Sequence, residues 1–540
     1  MKYFSPKCKD DDVDRFTNIS RRDFTKSAIA IGVVASAAYT AQAAPQKKPN
    51  ILVIQTDQQS SWTLSCYGGT LVDTPHIDRL AKEGARLDNF YSNCAICTPS
   101  RGCFQTGRYP HANGAVHNSY PLNDDEVTLG RVFREQGYDT GYLGKWHLAG
   151  KERSHMHPDR NGVKRWSCVL PNQYAYGYED TPYMIEHWHG KKITGTLDNP
   201  HFGEPHFIGK DVKTRSFDFE KSVGDENSYS TDYLCDRAME YMAEKRDDPF
   251  FLFLAIPDPH NPFHGREPYE SMFKPEDMPL PENFSHRKNL PKWAASFNRT
   301  APNGFGKDRT EWPDGAKDAE THLRNMKSKY CGMVKHIDDC VGEIYASLEQ
   351  QGILDDTIVI FTTDHGDYMG EHGLAGKPCV YEGVFRIPFL IRYPEKVTPG
   401  LVVDHHVSTV DFMSTICALS GVRTSGREQG HNAAPLLQGK PVAWDDVAFQ
   451  HYMPNWITPE AAPTRAGIFT PRWHLCYVYS GRPGLEHVLF DRRKDPLEMN
   501  NLFYHPEYRE VVEDLTAQIL KQRESINAPE VEWLRKCPQF

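Results

Sequence analysis

The sequence has no long apolar run in its main body. Past residue 45 nothing approaches the ~18 consecutive apolar residues of a transmembrane helix, so a helical membrane span is not expected there. Positive charge is not in excess either. Lys and Arg number 62 against 72 Asp and Glu, for a formal net charge of −10, and the chain carries no general electrostatic footprint for nucleic acid. Repeats and low-complexity tracts are missing, which argues against solenoids and against extended disordered arrays. The 13 cysteines are scattered through 540 residues. Their pairing cannot be read from sequence, and most read as small buried apolar residues. What is present is ample core material: 39% hydrophobic and 12% aromatic residues. At roughly 100–200 residues per domain, the length allows about two to four domains. The acidic balance does not exclude an anionic substrate, because a local cluster of Lys, Arg and metal overrides net charge.

Residues 1–45 read as a separate segment. Ser20-Arg21-Arg22-Asp23-Phe24-Thr25-Lys26 precedes a small apolar run from Ala28 to Ala38, and Ala41-Gln42-Ala43 follows as a small-x-small cleavage pattern. This resembles a twin-arginine export signal. It implies the twin-arginine machinery as a partner, a periplasmic or secreted location, and no stable membrane span after cleavage.

The body alternates apolar strands with helical patterns. Ile51-Leu52-Val53-Ile54 is a continuous apolar run, as expected of a parallel strand covered on both faces. Tyr138–Gly144, Phe250–Ile256, Thr357–Thr363 and Phe389–Arg392 read as further strands. Helices are predicted over His76–Gly84, Leu129–Gln136 and Asp318–Gln350, the last from Met333, Ile337, Val341, Ile344 and Leu348 at intervals of three and four. The alternation predicts an α/β domain with a largely parallel sheet over residues 46–441. After Val442, short strands at Val447–Tyr452, Ala466–Phe469, Trp473–Tyr479 and Val488–Asp491, then a helix over Glu507–Glu524, predict a smaller α+β domain with an antiparallel sheet, residues 442–540. Lys151–Asp232 and Pro262–Trp312 are long and irregular, which fits either binding loops or plain surface insertions.

The chemistry concentrates at strand ends. In Cys97-Thr98-Pro99-Ser100-Arg101-Gly102-Cys103-Phe104-Gln105-Thr106-Gly107-Arg108, Pro99 suits the first turn of a helix. Cys97 would then lie just before a helix N-terminus, where backbone N–H groups favour negative charge. Arg101 could reach back over one turn. Asp57 and Gln58 follow the first apolar strand, and Asp364 and His365 follow the Thr357 strand. In open α/β sheets ligands bind at that carboxyl edge, and hard oxygen ligands there suit Ca2+ or Mg2+. Gly144-Lys145-Trp146-His147-Leu148 alternates Lys145 and His147, which on an extended segment share a side. Pro259-His260-Asn261-Pro262-Phe263 leaves the Phe250 strand, and Gly370-Glu371-His372-Gly373 leads to Gly376-Lys377.

Together these segments resemble the type I sulfatase family of the alkaline phosphatase superfamily. The Cys97 segment is similar to that family's C-x-P-S-R followed by T-G-R, and the likeness covers Asn50–Tyr393, with a looser match at Leu489–Asp491 and Asp495–Leu502. The resemblance implies an alkaline-phosphatase-like fold, a mixed, largely parallel sheet flanked by helices. It implies a sulfuric ester hydrolase in which a maturation enzyme oxidises Cys97 to formylglycine, whose hydrated aldehyde attacks sulfur. Asp57, Gln58, Asp364, His365 and residue 97 would hold a divalent metal: Ca2+, with Mg2+ and Mn2+ as alternatives. Arg101 would hold the nucleophile, and Lys145 and Lys377 the sulfate oxygens. His260, with Lys377 as a second contact, would serve the leaving oxygen, and His147 would act as base. Export favours a sulfated carbohydrate as substrate, with other sulfate esters open. Many family members carry Asp where this chain has Gln58, as some phosphonate and phosphodiester hydrolases do not, so those activities are the alternative. A catalytically silent carbohydrate-binding relative is the alternative from another class. His111, His117, His187, Trp188, His189 and His201 are further candidates for substrate contact.

Overall fold

The structure is a computed structural model that describes residues 47–529 and 534, apart from 119, 149–179, 186–222, 286–290, 292–311, 313, 378–379, 453–463 and 480–486. The leader motif, His187, Trp188, His189 and His201 lie outside the described residues. Pro49–Phe540 form one compact unit that contains both sheets.

The large sheet holds β1 (Asn50–Thr56), β2 (Ala85–Tyr91), β3 (Asp139–Lys145), β4 (Asp180–Ile185), β5 (Phe250–Ala255), β6 (Thr357–Thr363), β7 (Arg386–Arg392), β8 (Leu401–Val403) and β9 (Val407–Ser408). Their order is β4-β3-β5-β1-β6-β7-β2-β8, with β9 also on β2. From β4 to β6 every pairing is parallel, whereas β7 runs antiparallel to both β6 and β2. The predicted parallel core is therefore found, within a mixed sheet. The alternation along each central strand explains its apolar continuity. Ile51, Val53, Phe251, Phe253, Ile358 and Ile360 enter the core on one face. Leu52, Ile54, Leu252, Leu254, Val359 and Phe361 enter the core on the other, where the Ala319–Gln350 helix packs through Met333, Ile337, Val341 and Ile344. A strand buried on both faces has no polar side to show.

The second sheet is antiparallel, β10 (Ala448–Tyr452), β11 (Thr464–Phe469), β12 (Trp473–Tyr479) and β13 (Val488–Asp491) in that order. One face joins Tyr91, Tyr381 and Phe385 through Phe469, Val478 and Phe490. The other is covered by Val512, Leu515 and Ile519 of the Arg509–Ser525 helix. Among the described residues no helix is long and apolar enough to cross a membrane.

Four strands were not expected from the sequence: β2, β4 and the short β8 and β9. β2 interleaves Arg86, Asp88 and Asn89 with its apolar residues and has no continuous run. β4 lies inside the stretch read as irregular.

Candidate active site at the carboxyl edge of the large sheet

Strand register assembles the site. Thr56 of β1 pairs with Thr363 of β6, so the next residues, Asp57 and Asp364, leave the same edge side by side. Ala255 of β5 stands between Gly144 of β3 and Gln55 of β1, which brings Lys145 to the same level. Gly144 makes that approach possible. Its φ is +93°, and a Cβ there would sit 2.0 Å from the Ala255 carbonyl oxygen.

Cys97 opens a buried helix, Cys97–Thr106, with Ile96 as its N-cap. The expectation placed Cys97 just before the helix; it is the first helical residue. Its neighbours in sequence act as fasteners. Thr98 Oγ1 donates to the His147 carbonyl (2.8 Å), Ser100 Oγ donates to the Asp364 carbonyl (2.6 Å), and Asn118 Oδ1 accepts from the Thr98 amide (3.1 Å). The motif thus ties the helix start to β3 and β6 and satisfies one of the helix's unpaired amides.

The carboxylates divide their oxygens. Arg101 donates through Nη2 to Asp57 Oδ2 (3.1 Å) and through Nε to Asp364 Oδ2 (3.0 Å). Its Nη1 reaches Gln55 Oε1 (3.1 Å) and the Lys145 carbonyl (2.9 Å). Lys145 Nζ also donates to Asp57 Oδ2. The Oδ1 atoms face the other way. Asp57 Oδ1 lies 3.9 Å from Cys97 Sγ and 3.9 Å from His365 Nε2, and Asp364 Oδ1 lies 3.5 Å from His365 Nε2. His365 Nδ1 lies 3.0 Å from the Gly366 carbonyl. A proton donated there leaves the Nε2 lone pair for the cluster, the arrangement that fixes a metal-ligating tautomer.

The donor atoms of Asp57, Cys97, Asp364 and His365 all lie within 4.8 Å of one another, every residue buried. Cys97 Sγ stands where an oxidised residue 97 would present oxygen. With Gln58 Oε1 beside them, the set is oxygen-rich with one imidazole, and it fits a divalent cation. Two other clusters have structural partners. Asp338 caps the Pro75–Glu83 helix at the His76 and Ile77 amides (3.1 and 2.9 Å). His336 pairs with Asp232 (2.8 Å), which Arg266 also holds.

Cations crowd the sulfur. Lys377 Nζ is 3.0 Å and Lys145 Nζ 3.7 Å from Sγ, and His147 and His260 hydrogen-bond it as well. Burial pushes the Cys97 thiol up, yet Lys145, Lys377 and His365 outweigh burial and hold it well below the usual thiol range. Burial also raises Asp57, and Lys145, His260 and Arg101 together bring it below the usual carboxylate range. Burial lowers His147 to about 4 and depresses His260 too, with Lys377 adding to the effect. Cys94, at the Cys-x-x-Cys spacing from Cys97, is raised by burial, and both are free thiols.

One geometric expectation fails. Lys145 and His147 do not share an extended segment. β3 ends at Lys145, and His147 has φ +59°. A left-handed turn, not strand alternation, brings its ring to the sulfur. Gln58, at φ +66°, is the other left-handed site residue; such strain collects at functional sites. His111 is away from this cluster, against His451 (2.9 Å) and the Ile526 carbonyl. The His117 ring lies tilted against Tyr452, centroids 6.1 Å apart. Sequence reasoning missed Asp367 and Tyr330, which touch Gln58, and Asn118, which holds the Thr98 amide beside Cys97. Asp367 had a signal, three residues after Asp364. Asn118 and Tyr330 had none, since the fold brings them from distant segments.

A family model described as Sulfatase matches residues 49–422, and one described as N-sulphoglucosamine sulphohydrolase, C-terminal, matches residues 370–525. The chain is 28% identical to an N-acetylglucosamine-6-O-sulfatase of Bacteroides thetaiotaomicron, covering 88% of this chain and 86% of that one. It is 29% identical to an ulvan-active sulfatase of Formosa agariphila (88% and 81%) and 28% identical to the multifunctional alkaline phosphatase superfamily protein PehA of Trinickia caryophylli (86% and 92%). A solved structure in complex with its substrate D-glucosamine-2-N,6-O-disulfate superposes with a TM-score of 0.69 at 25% identity, over 89% of this chain and 98% of that one. A phosphonate monoester hydrolase of Agrobacterium radiobacter shares the fold, with a TM-score of 0.71 at 24% identity over 89% and 96%. With a family model spanning most of its length and these residues gathered at one sheet edge, the chain belongs to the sulfatase family, the hydrolases of sulfuric esters.

Proposed function

We propose that this sulfatase removes sulfate from a sulfated carbohydrate outside the cytoplasm, with a nucleophile made from Cys97. The observation that carries the reading is the divided carboxylates. Arg101 and Lys145 take the Oδ2 atoms of Asp57 and Asp364, while the Oδ1 atoms face Cys97 and His365. Such a site holds a cation and a tetrahedral anion against residue 97. A divalent metal held by Asp57, Gln58, Asp364, His365 and residue 97 would supply Lewis acidity there, with Ca2+ as our choice and Mg2+ and Mn2+ as alternatives. Formylglycine, made from Cys97 by a maturation enzyme, would supply an oxygen nucleophile.

The chain's own groups then have distinct tasks. Lys145 and Lys377 neutralise the sulfate oxygens. Arg101 fixes the carboxylates and has no proton to give, being held above its usual range by Asp364 and Asp57 against burial. His260 serves the leaving oxygen. His147, neutral because it is buried, accepts a proton at residue 97. The carbohydrate assignment is supported by relatives named for N-acetylglucosamine-6-sulfate and ulvan. Export is supported by the Arg21-Arg22 leader, with residues 46–441 as catalytic domain and 442–540 as C-terminal domain. The test is the intact mass of the Cys97 peptide from the native host, with sulfate release from a panel of sulfated sugars. An unmodified thiol in active protein overturns the mechanism.

A second reading has its own observation. Gln58 puts a neutral amide where a carboxylate would add charge, and one relative is named as multifunctional. Phosphonate or phosphodiester hydrolysis is that alternative, and a higher kcat/KM for those esters than for any sulfate ester would establish it.

A further inference from the structure

Gln58 is a ligand of ambiguous sense. A carboxamide offers an acceptor at one end and two donors at the other, and only the oxygen can face a cation. A second buried residue settles the orientation here. Asp367 is 1% exposed and Gln58 3%. Asp367 Oδ1 accepts the Met369 and Gly376 amides (2.8 and 3.0 Å), which turns Oδ2 toward Gln58 Nε2 at 2.5 Å. The other end, Oε1, accepts from Lys377 Nζ at 2.7 Å. The Gln58 backbone is fixed as well. Its amide donates to Asp364 Oδ1 (3.1 Å), and its carbonyl accepts from Tyr330 Oη (2.6 Å). The Asp367 main chain is pinned by Ser60, whose Oγ accepts its amide (2.9 Å) and donates to its carbonyl (2.8 Å).

We propose that Asp367 is a positioning residue that aims the Gln58 oxygen at the cation and lends the amide carboxylate character. The proposal rests on the reading that Gln58 faces a divalent metal. A carboxylate cannot donate, so it accepts only the NH2 end and leaves Oε1 facing the cluster. A hydrogen bond from NH2 to a carboxylate also favours the amide resonance form with charge on oxygen. The pair Gln58–Asp367 therefore behaves as one carboxylate displaced by a residue. The negative charge that Gln58 lacks is returned from behind it.

This predicts the effect of an isosteric change. In Asp367→Asn, Oδ1 keeps its two backbone partners, so the new NH2 points at Gln58. Two NH2 groups cannot face each other, and the Gln58 amide flips, turning its own NH2 toward Lys377 and the metal. The partner exchange Gln58→Glu with Asp367→Asn restores both the hydrogen bond and the charge, with the carboxylate now inside.

The test is Ca2+ affinity of the full-length protein, stripped with chelator and titrated in competition with a chromogenic calcium chelator. Loss of such an outer partner typically weakens metal binding about 10–100-fold. D367N is expected to fall in that range with an unchanged metal-free melting temperature, and the double variant Q58E/D367N to return to near the parental affinity. Gln58→Ala separates the two readings. If Q58A binds as the parent does, Gln58 is no ligand, and both readings fall. If Q58A weakens binding but D367N does not, the orienting role alone is overturned. If D367N weakens binding and the exchange fails to restore it, the loss is structural and the proposal is again overturned.

Discussion

Arg101 is the group whose removal tests the electrostatic reasoning most directly. It is buried, 1% exposed, and its fork spans Asp57 and Asp364. Arg101→Met keeps much of the volume and deletes the charge. Removing one partner of a buried ion pair costs about 3–5 kcal/mol, because the other charge is left uncompensated. Two features set where in that range the cost lies. Lys145 and Lys377 stay near the carboxylates and soften the loss. Gln55 loses the partner of its Oε1, and its Nε2 has none among the described residues, a penalty of roughly 1–3 kcal/mol by itself. The Lys145 carbonyl keeps the Tyr142 hydroxyl at 2.7 Å and contributes little. The expected deficit for the metal-free protein is about 4 kcal/mol. Arg101→Lys retains a charge but not the fork, and should recover about half. The assay is urea unfolding followed by tryptophan fluorescence in EDTA, repeated in excess Ca2+. The cation should narrow the deficit, because carboxylates without Arg101 bind it more tightly, and in excess ligand each tenfold gain in affinity adds about 1.4 kcal/mol to the variant relative to the parent. A metal-free R101M variant within about 1 kcal/mol of the parent would refute the argument.

Lys377→Ala should lower kcat/KM by about 10²–10³, the usual effect of removing one donor to a developing charge, measured on a chromogenic sulfate ester. His147→Ala should cost about 10²–10⁴ in rate. Because burial lowers His147 to about 4, its neutral base form persists down to that pH, and the acid limb of kcat should fall near pH 4. A His147-dependent limb near 6.5 would contradict this. His336 behaves oppositely. Burial pushes it down, but Cys340 and Asp232 raise it to about 9 from 6.5. A raised folded-state pKa adds stability that is complete below pH 6.5 and lost as pH climbs through 9, amounting to about 3 kcal/mol at 1.36 kcal/mol per unit. His336→Gln should therefore destabilise the protein at pH 6 and leave it nearly unchanged at pH 10, read from denaturation midpoints at both.

Much of the fold was legible because the central strands are buried on both faces. β1, β5 and β6 have to be apolar throughout, so they stand out as runs, and their carboxyl ends announce Asp57, His260 and Asp364. β2 was hidden although it lies between β7 and β8, because Arg86, Asp88 and Asn89 are only half-buried there, and no periodic signal survives that mixture. The segments of the candidate site stand out as motifs, but their arrangement does not. Strand alternation is a sound rule for an extended chain, and His147 is not extended. Asp367 was overlooked for a related reason. Its value depends on which amide end of Gln58 faces the cluster, and that is a property of three dimensions.

The charge count of the site bears on which esters it accepts. Asp57 and Asp364 contribute −2, and Arg101, Lys145 and Lys377 contribute +3, so these groups alone sum to +1 at neutral pH. A divalent cation brings that to +3, with Asp367 returning one negative charge through Gln58. A sulfate monoester carries −1, and so do a phosphodiester and a phosphonate monoester. Coulomb attraction therefore ranks these three alike, while a dianionic phosphate monoester is attracted more strongly whatever the enzyme's chemistry. A comparison of an aryl sulfate with the matching aryl phosphate monoester mixes charge with the identity of the central atom. Pairing the aryl sulfate with the aryl phenylphosphonate holds charge and leaving group constant. A preference between those two reflects how His260 and the two lysines meet sulfur or phosphorus, and a preference for sulfur that survives the pairing is the result the sulfatase reading requires.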